Sequence, residues 1–415
     1  MTNEFFRDDQ IDCQFSYAQL LKTLNNQPSY YTTNYAQYLP DFYINLILAC
    51  LHDDHITILD SSSTIYSIGE RINLLSLKDA DVAPIRDVDE LIDRLRQSEA
   101  SISLFTSGTT GKPKKVTHSV KKILAMTRTG ARYRSNRWLL AYHPAHMAGL
   151  QVFFQALLNA NLLVNCFAYP VPAVFAQLRK YQISHLSATP TFYRLLLANG
   201  AVYERLKRLT IGGERSDLAL HERLSLHFPG SKINNIYSTT ESGTLLVSNG
   251  IYFSIPTALQ SRIRVVEEEL QVHCSLLGDS NDIEGEWYAT GDQVKWIDKT
   301  RFTITNRQQD IVNVAGNKVC LIEIEQQLEK LEGIKNCRVF TRKNTLVGHL
   351  ICCELVLRNP SLKAIHFKRQ LEQRLPAYKV PRIIKIVDRI TVGDRGKVKR
   401  YEESTAERLV PRFGT

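Results

Sequence analysis

The sequence predicts an α/β protein: a large N-terminal domain of parallel sheets flanked by helices, a β-rich subdomain, and a small C-terminal α+β domain. Three observations predict it. From residue 101, short apolar runs alternate with longer amphipathic stretches, the pattern of strand–helix units that build a parallel sheet. After about residue 243 the helical spacing stops and β-like segments follow. Beyond a hydrophilic stretch at 306–310 a second compact α/β pattern begins.

In chain order, residues 1–100 read as helices and short strands without a distinctive motif. The runs 102–105, 139–142, 161–166, 185–188, 209–211 and 233–237 are apolar and of strand length. Between them, 171–181, 191–198 and 218–227 have the apolar spacing of amphipathic helices. Segments 263–272 and 287–289 read as antiparallel β structure. The final unit reads helix 322–331, strands 337–341 and 348–357, helix 362–375 and strand 382–387. A chain of 415 residues exceeds one core, and the expected domains are 1–306 and 311–415, with a hinge at about 307–310.

Composition bounds the function. The apolar share of 44% and charged share of 23% are those of a soluble globular protein. The net charge of +10 is spread along the chain, with no basic tract and no aromatic-interleaved RNA motif. Nucleic acid is therefore not the expected partner; a polyphosphate, a coenzyme or an acidic carrier protein suits the same field. None of the eight cysteines forms a C-x-x-C pair, so neither a zinc site nor a disulfide framework is expected. With no signal-peptide pattern and no apolar run long enough to insert in a membrane, the expected location is the cytoplasm.

The densest chemistry lies at Phe105-Thr106-Ser107-Gly108-Thr109-Thr110-Gly111-Lys112-Pro113-Lys114, directly after an apolar strand. Its glycines let backbone approach a ligand. Hydroxyls and free N–H groups can surround a polyphosphate, and Lys114 can neutralise charge. It is not a Walker A loop: Gly would be needed at position 106, and Pro113 stands where Ser or Thr belongs. Further segments follow: Pro144-Ala145-His146-Met147-Ala148-Gly149, Gly212-Gly213-Glu214, Asn235-Ile236-Tyr237-Ser238-Thr239-Thr240-Glu241 and Thr290-Gly291-Asp292. Asn306-Arg307-Gln308-Gln309-Asp310, then Gly316-Asn317-Lys318-Val319 and Glu323-Ile324-Glu325, precede Gly396-Lys397-Val398-Lys399-Arg400.

In this order the segments resemble those of the adenylate-forming superfamily, which includes acyl-CoA synthetases, nonribosomal adenylation domains and luciferases. The match runs from about residue 100 to about residue 400. The resemblance implies that Thr106, Ser107, Gly108, Thr109, Thr110, Gly111 and Lys114 hold the phosphates of ATP. Gly212, Gly213 and Glu214 would lie against adenine, and Tyr237 would stack on it. Thr240 would bond the α-phosphate, Glu241 would hold Mg²⁺, Asp292 the ribose hydroxyls, and Arg307 the ribose–phosphate region. Lys397 would contact the substrate carboxylate and α-phosphate, with Lys399 as the other candidate. His146 would border the acyl pocket, with His143 as its competitor; Leu150, Phe153 and Phe154 either line that pocket or pack a core. The C-terminal domain would act as a mobile lid.

Amino-acid-activating members hold the substrate's ammonium with an Asp early in the pocket stretch, and none lies at 144–154. The implied substrate is a non-amino carboxylic acid, aryl or fatty, and the pocket segment is similar to that of short aryl-acid ligases such as o-succinylbenzoate–CoA ligase. The implied acceptor is coenzyme A or the phosphopantetheine thiol of an acyl carrier protein. A third reading is a non-catalytic relative that binds a nucleotide or acyl-AMP. Departures from the family pattern are Lys115, Ser238 and Asn306 in place of glycines, and Gln309 where many members carry a hinge Asp.

Overall fold

The computed structural model describes residues 4–36, 38–59, 77–106, 114–197, 200–280, 283, 285–307, 311–314, 317–344, 348–390 and 401–402. The chain divides into two units. One comprises residues 1–266, 271–290 and 296–303; the other comprises 267–270, 291–295 and 304–415. The strands Ile263–Val266, Glu269–His273, Trp287–Trp296 and Phe302–Arg307 carry the expected β-rich subdomain, and the division runs through them.

An eight-stranded sheet dominates the first unit. Its order is Gly243–Ser248, Lys232–Thr239, Arg208–Gly212, His185–Ala188, Arg137–Leu140, Leu162–Asn165, Glu4–Asp8 and Cys13–Ser16. The six inner strands run parallel, and each edge strand is antiparallel to its neighbour. Five of the apolar runs read from the sequence fall on its inner strands: 185–188 coincides with its strand, 209–211 and 233–237 lie inside theirs, 161–166 overruns Leu162–Asn165 by a residue at each end, and 139–142 lies two residues late on Arg137–Leu140. The three expected helices are Val171–Lys180, Pro190–Leu197 and Leu218–His227.

Successive side chains of a strand point to opposite faces, so neighbours enter different cores. Leu139, Leu162 and Val164 join the cluster under the three helices just named. Leu140 and Leu163 join the other cluster, with the helix Met147–Leu157 and the N-terminal segments. A parallel sheet covered on both faces reads as continuous apolar runs, which explains why these strands were visible in the sequence. From Arg137–Leu140 the chain steps to Leu162–Asn165 on one side, then to His185–Ala188 on the other. Ligand clefts of open α/β sheets form at such a reversal, beyond the strands' carboxyl ends.

A second sheet of the same unit has the order Thr33–Tyr35, His55–Leu59, Ser101–Thr106, Lys114–Ser119. Its last two strands pair antiparallel, with Thr106 opposite Lys114. The Gly/Thr loop between them is therefore closed at its base by a hairpin; Ser107, Gly108, Thr109, Thr110 and Gly111 lie outside the described residues.

The second unit carries a four-stranded sheet of order Ile383–Ile386, Gly348–Leu357, Ile334–Asn344, Tyr401–Glu402. The helices Leu321–Glu329 and Ala364–Glu372 pack on it through Leu321, Ile324, Leu328, Phe367 and Leu371. The carboxylates of Glu323-Ile324-Glu325 are structural here. Glu323 accepts from the Lys379 ammonium at 2.7 Å, and Glu325 accepts the Val339 N–H at 2.8 Å.

Phe153 is the centre of the N-terminal core. It is fully buried, lies parallel to Tyr43 at 4.1 Å between centroids, and meets Phe5 at 6.3 Å. Phe153→Ala should cost about 3–5 kcal/mol of stability, the usual loss for a large ring removed from a packed core. A urea titration followed by circular dichroism measures it; a midpoint shift worth less than about 1 kcal/mol would show that the core collapses into the space.

Candidate active site

Five segments of the N-terminal unit meet around the carboxyl ends of the parallel strands. The first is the turn after Arg208–Gly212. Gly213 has φ +80, a conformation that glycine adopts without steric cost. Glu214 accepts from both the backbone N–H and the hydroxyl of Thr191, at 3.0 and 2.7 Å. Its carboxylate thus pins the turn to the first residues of the helix Pro190–Leu197, where a negative charge also suits the helix dipole.

The second segment is the loop after Arg137–Leu140. The Tyr142 hydroxyl donates to the Gly212 carbonyl at 3.2 Å, joining the two. The Ala145 N–H donates to His143 Nδ1 at 3.1 Å, so His143, buried and edge-on to Phe167, shapes the loop from within. The His146 ring stacks on it at 4.7 Å and is half-buried at the start of the helix Met147–Leu157, without a side-chain cap bond. The Gly149 of this motif has a packing reason. A Cβ there would lie 2.3 Å from the His143 carbonyl oxygen and 2.9 Å from the Pro144 Cα. Only a glycine lets the loop rest against the helix.

Tyr237 and the turn after it form the third segment. Tyr237 is buried and meets Phe253 edge-on at 6.4 Å. Strand pairing puts Gly212 opposite Ile236, one residue from Tyr237. The turn carries Thr240 and Glu241, both half-buried.

The fourth and fifth segments tie the phosphate-loop hairpin to that turn. His118 Nε2–H donates to the Thr240 carbonyl at 2.7 Å, and the Gly278 N–H donates to the Glu241 carbonyl at 2.6 Å. Thr117 and Asp279 exchange backbone hydrogen bonds at 2.8 Å. Burial, the largest cause, lowers the His118 pKa, and its buried Nδ1 has no hydrogen-bond partner among the described residues. Sequence reasoning did not single out His118; its only local signal is its place on the strand that leaves the phosphate loop.

Lys114, Gly212, Gly213, Glu214, Tyr237, Thr240, Glu241 and His146 therefore all lie in one unit, their segments linked by hydrogen bonds and strand pairing. Asp292 lies in the other unit. It is buried, next to Gly291, whose N–H donates to Glu269 at 2.7 Å. Arg307 ends the strand Phe302–Arg307. Lys397 and Lys399 lie outside the described residues.

A cavity of about 190 Å³ opens beside these segments. Its floor is one face of three strands, through His185 and Ser187, Arg208 and Thr210, and Asn234 and Ile236. Its roof includes Ala148, Gln151 and Val152 of the helix Met147–Leu157. Leu150, Phe153 and Phe154 do not line it: they are fully buried in the core, on the other side of that helix. Of the cavity residues on the strands, Gly212 and Ser238 were singled out from the sequence; His185, Ser187, Arg208, Thr210 and Asn234 were not, although a signal existed. Polar residues at alternate positions of strands that should be apolar on both faces mark a face that does not pack.

The fold and the joined turns define a nucleotide-handling α/β enzyme. The model of the AMP-binding enzyme family matches residues 50–278, over half of the chain, and the chain belongs to that family. It is an adenylate-forming acid–thiol ligase of the superfamily whose motifs the sequence carries. The uncharacterized acyl–CoA ligase YtcI of Bacillus subtilis (strain 168) is 26% identical over 390 residues, covering 81% of this chain and 71% of that protein. Surfactin synthase subunit 3 of the same organism is 25% identical; the match covers 72% of this chain and 27% of the much longer relative. In fold, the chain is similar to the o-succinylbenzoate CoA synthetase of Bacillus subtilis solved with its acyl-adenylate intermediate. The TM-score is 0.67 at 16% identity, over 100% of this chain and 96% of that one. Among the described residues no helix is long and apolar enough to cross a membrane.

Two predictions come from this geometry. Gly149→Ala should push the 143–146 turn off its helix, at about 1–3 kcal/mol, the usual cost of overpacking. Activity should fall more than stability does; an unaltered specific activity would separate the turn from the site. His185 is buried, and burial first, then the Arg208 and Lys207 charges, lower its pKa from 6.5 to about 4. Above pH 6.5 it contributes no pH dependence. As pH falls from 6.5 toward about 4, the unfolded chain takes up a proton that the folded chain refuses, and stability drops by about 1.4 kcal/mol per unit. Urea titrations across this window should show a shallower fall for His185→Asn; parallel slopes would refute the assignment.

Proposed function

We propose that the chain activates a non-amino carboxylic acid, aryl or fatty, with ATP and passes the acyl group to the thiol of coenzyme A. The observation that carries this is the linkage of the phosphate-loop hairpin, the Gly212–Gly213 turn and the Tyr237–Glu241 turn beside one cavity. No acidic residue lines that cavity among the described residues, which leaves nothing there to hold a substrate ammonium.

In this reading a carboxylate oxygen of the acid attacks the α-phosphorus of ATP and pyrophosphate leaves. The Thr106–Lys114 loop holds the departing phosphates, and Thr240 bonds the α-phosphate. Tyr237 and the Gly212–Glu214 turn hold the base, Asp292 the ribose, and Arg307 the ribose–phosphate region. Glu241 fits a hard cation: it pairs with no cationic side chain among the described residues, and one carboxylate plus phosphate oxygens is a usual Mg²⁺ environment. When bound, Mg²⁺ supplies charge neutralisation at the phosphates.

Lys397 stabilises charge that develops between carboxylate and phosphate, and His146 borders the entering acid. The domain 311–415, hinged at about 307–310, excludes water from the reactive anhydride. The thiol sulfur then attacks the acyl carbon and AMP leaves. A carrier-protein phosphopantetheine is the second acceptor to consider, because the +10 net charge suits an acidic protein partner.

Pyrophosphate release over aryl, fatty and amino acids, each with coenzyme A and with carrier protein, tests the reading. Release with none of the acids would overturn it. Lys397→Ala should slow release by roughly 10²- to 10³-fold, the usual loss when a group that stabilises transition-state charge is removed. An unchanged rate would take Lys397 out of the mechanism.

A further inference from the structure

The strand Lys114–Ser119 does more than close the phosphate loop at its base. Alternate residues of a strand share a face, so Lys114, Val116 and His118 project to one side of it. Lys114 stands at the foot of the loop, opposite Thr106. His118 lies four residues on, roughly 13 Å away at the rise of an extended strand. Its Nε2–H ends on the Thr240 carbonyl at 2.7 Å. One continuous strand therefore meets the phosphate loop at one end and the Thr240–Glu241 turn at the other.

The buried His118 ring is boxed in. At Gly278 a Cβ would lie 2.6 Å from the ring's Cε1 and 2.8 Å from its Nδ1, so a glycine leaves the room that the imidazole fills. The Gly278 N–H holds the Glu241 carbonyl at 2.6 Å. The residues on either side of Gly278 are fixed as well. The Leu277 carbonyl accepts from the Lys122 ammonium at 2.6 Å, and Asp279 exchanges backbone hydrogen bonds with Thr117 at 2.8 Å. Lys122 belongs to the helix Val120–Ala125, which continues directly from the strand.

Packing alone does not call for a histidine here. Directly across the sheet lie Ile102, opposite His118, and Leu104, opposite Val116, all three neighbours buried and apolar. A leucine would fill such a space. The imidazole instead leaves its Nδ1 buried with no hydrogen-bond partner among the described residues, an unfavourable state. What the imidazole adds is one bond, and that bond ends on the turn that carries Thr240 and Glu241.

We propose that His118 is a positioning residue for adenylation: through the Thr240 carbonyl it holds the Thr240–Glu241 turn in register with the phosphate-loop hairpin. This rests on the roles proposed above for Thr240 at the α-phosphate and Glu241 at Mg²⁺. One nucleotide is then gripped by two segments far apart in the chain, and attack at the α-phosphorus tolerates little error in their spacing. A misplacement of about 1 Å in such a geometry costs on the order of 100-fold in rate.

Two variants separate position from fold. His118→Leu keeps the bulk and removes the donor; His118→Gln returns an amide N–H to the place of the Nε2–H. In pyrophosphate release His118→Leu should lose roughly 10- to 100-fold in kcat, with KM for the acid little changed, and His118→Gln should recover part of the loss. The melting temperature of His118→Leu should stay close to that of the parent, because an unsatisfied buried nitrogen leaves together with the lost bond. An unchanged kcat, a loss confined to KM, or no recovery in His118→Gln would overturn the proposal. A large drop in melting temperature would give the ring a structural role and overturn it too.

Calorimetric binding of ATP to the full-length protein needs neither acid nor turnover. Mg²⁺·ATP should bind His118→Leu roughly 10-fold more weakly than the parent, the usual scale when a group that orients a metal ligand is removed, while metal-free ATP binds both alike. Equal Mg²⁺·ATP affinities, or the same weakening with and without the metal, would overturn the proposal and leave the adenylation reading standing. A parent protein that bound no ATP would overturn both.

Discussion

The two faces of the eight-stranded sheet are not equivalent, and the rest of the site depends on that inequality. On one face Leu186, Ala188, Leu209 and Ile211 pack tightly under three helices. On the other, the same strands present His185, Ser187, Arg208 and Thr210. The helix Met147–Leu157 closes over the neighbouring strand through its apolar side, where Phe153 and Phe154 meet the N-terminal core. Over the polar strands it cannot do so: burying those side chains against Phe or Leu would strand their hydrogen-bonding groups. A cavity remains where the sheet would otherwise be covered, and it remains at the end where the chain reversal already opens a cleft.

The turns around that cavity are held mainly by backbone groups. His118 and the Gly278 N–H grip the carbonyls of Thr240 and Glu241, and Tyr142 grips that of Gly212. Among the described residues the Glu241 carboxylate pairs with no cationic side chain, while the Glu214 carboxylate is spent on Thr191. Two glutamates in two short motifs thus have opposite fates, and the difference lies in which neighbour each turn meets.

Much of the fold was legible because a parallel sheet covered on both sides spells itself out in short apolar runs and amphipathic intervals. The runs 185–188 and 209–211 are found as His185–Ala188 and Arg208–Gly212. Motif residues with a local backbone requirement, such as Gly149 and Gly213, were legible in the same way. Contacts made across long stretches of chain were not. Nothing near His118 in sequence points to Thr240, and the spacing of Leu150, Phe153 and Phe154 cannot say which side of their helix meets a core. The cavity was hidden for a related reason: its lining comes from alternate residues of separate strands, each of which alone looks like an ordinary polar interruption.

Ser238 shows how this chain departs from its family's pattern without loss of fold. A serine in place of glycine would be strained if the position required a positive φ, but Ser238 is not among the described residues with one. It sits in the strand Lys232–Thr239, opposite Thr244 and next to a shift in register. Its side chain joins the cavity wall, as does that of Thr244, which donates to Gln151 at 3.3 Å. The substitution therefore adds a hydroxyl to the lining while leaving the turn that carries Thr240 and Glu241 tied by His118 and Gly278. In this chain the inward set mixes apolar side chains, Met126, Trp138 and Val152 among them, with polar ones from the strands, and Arg128 and Arg208 also line the cavity.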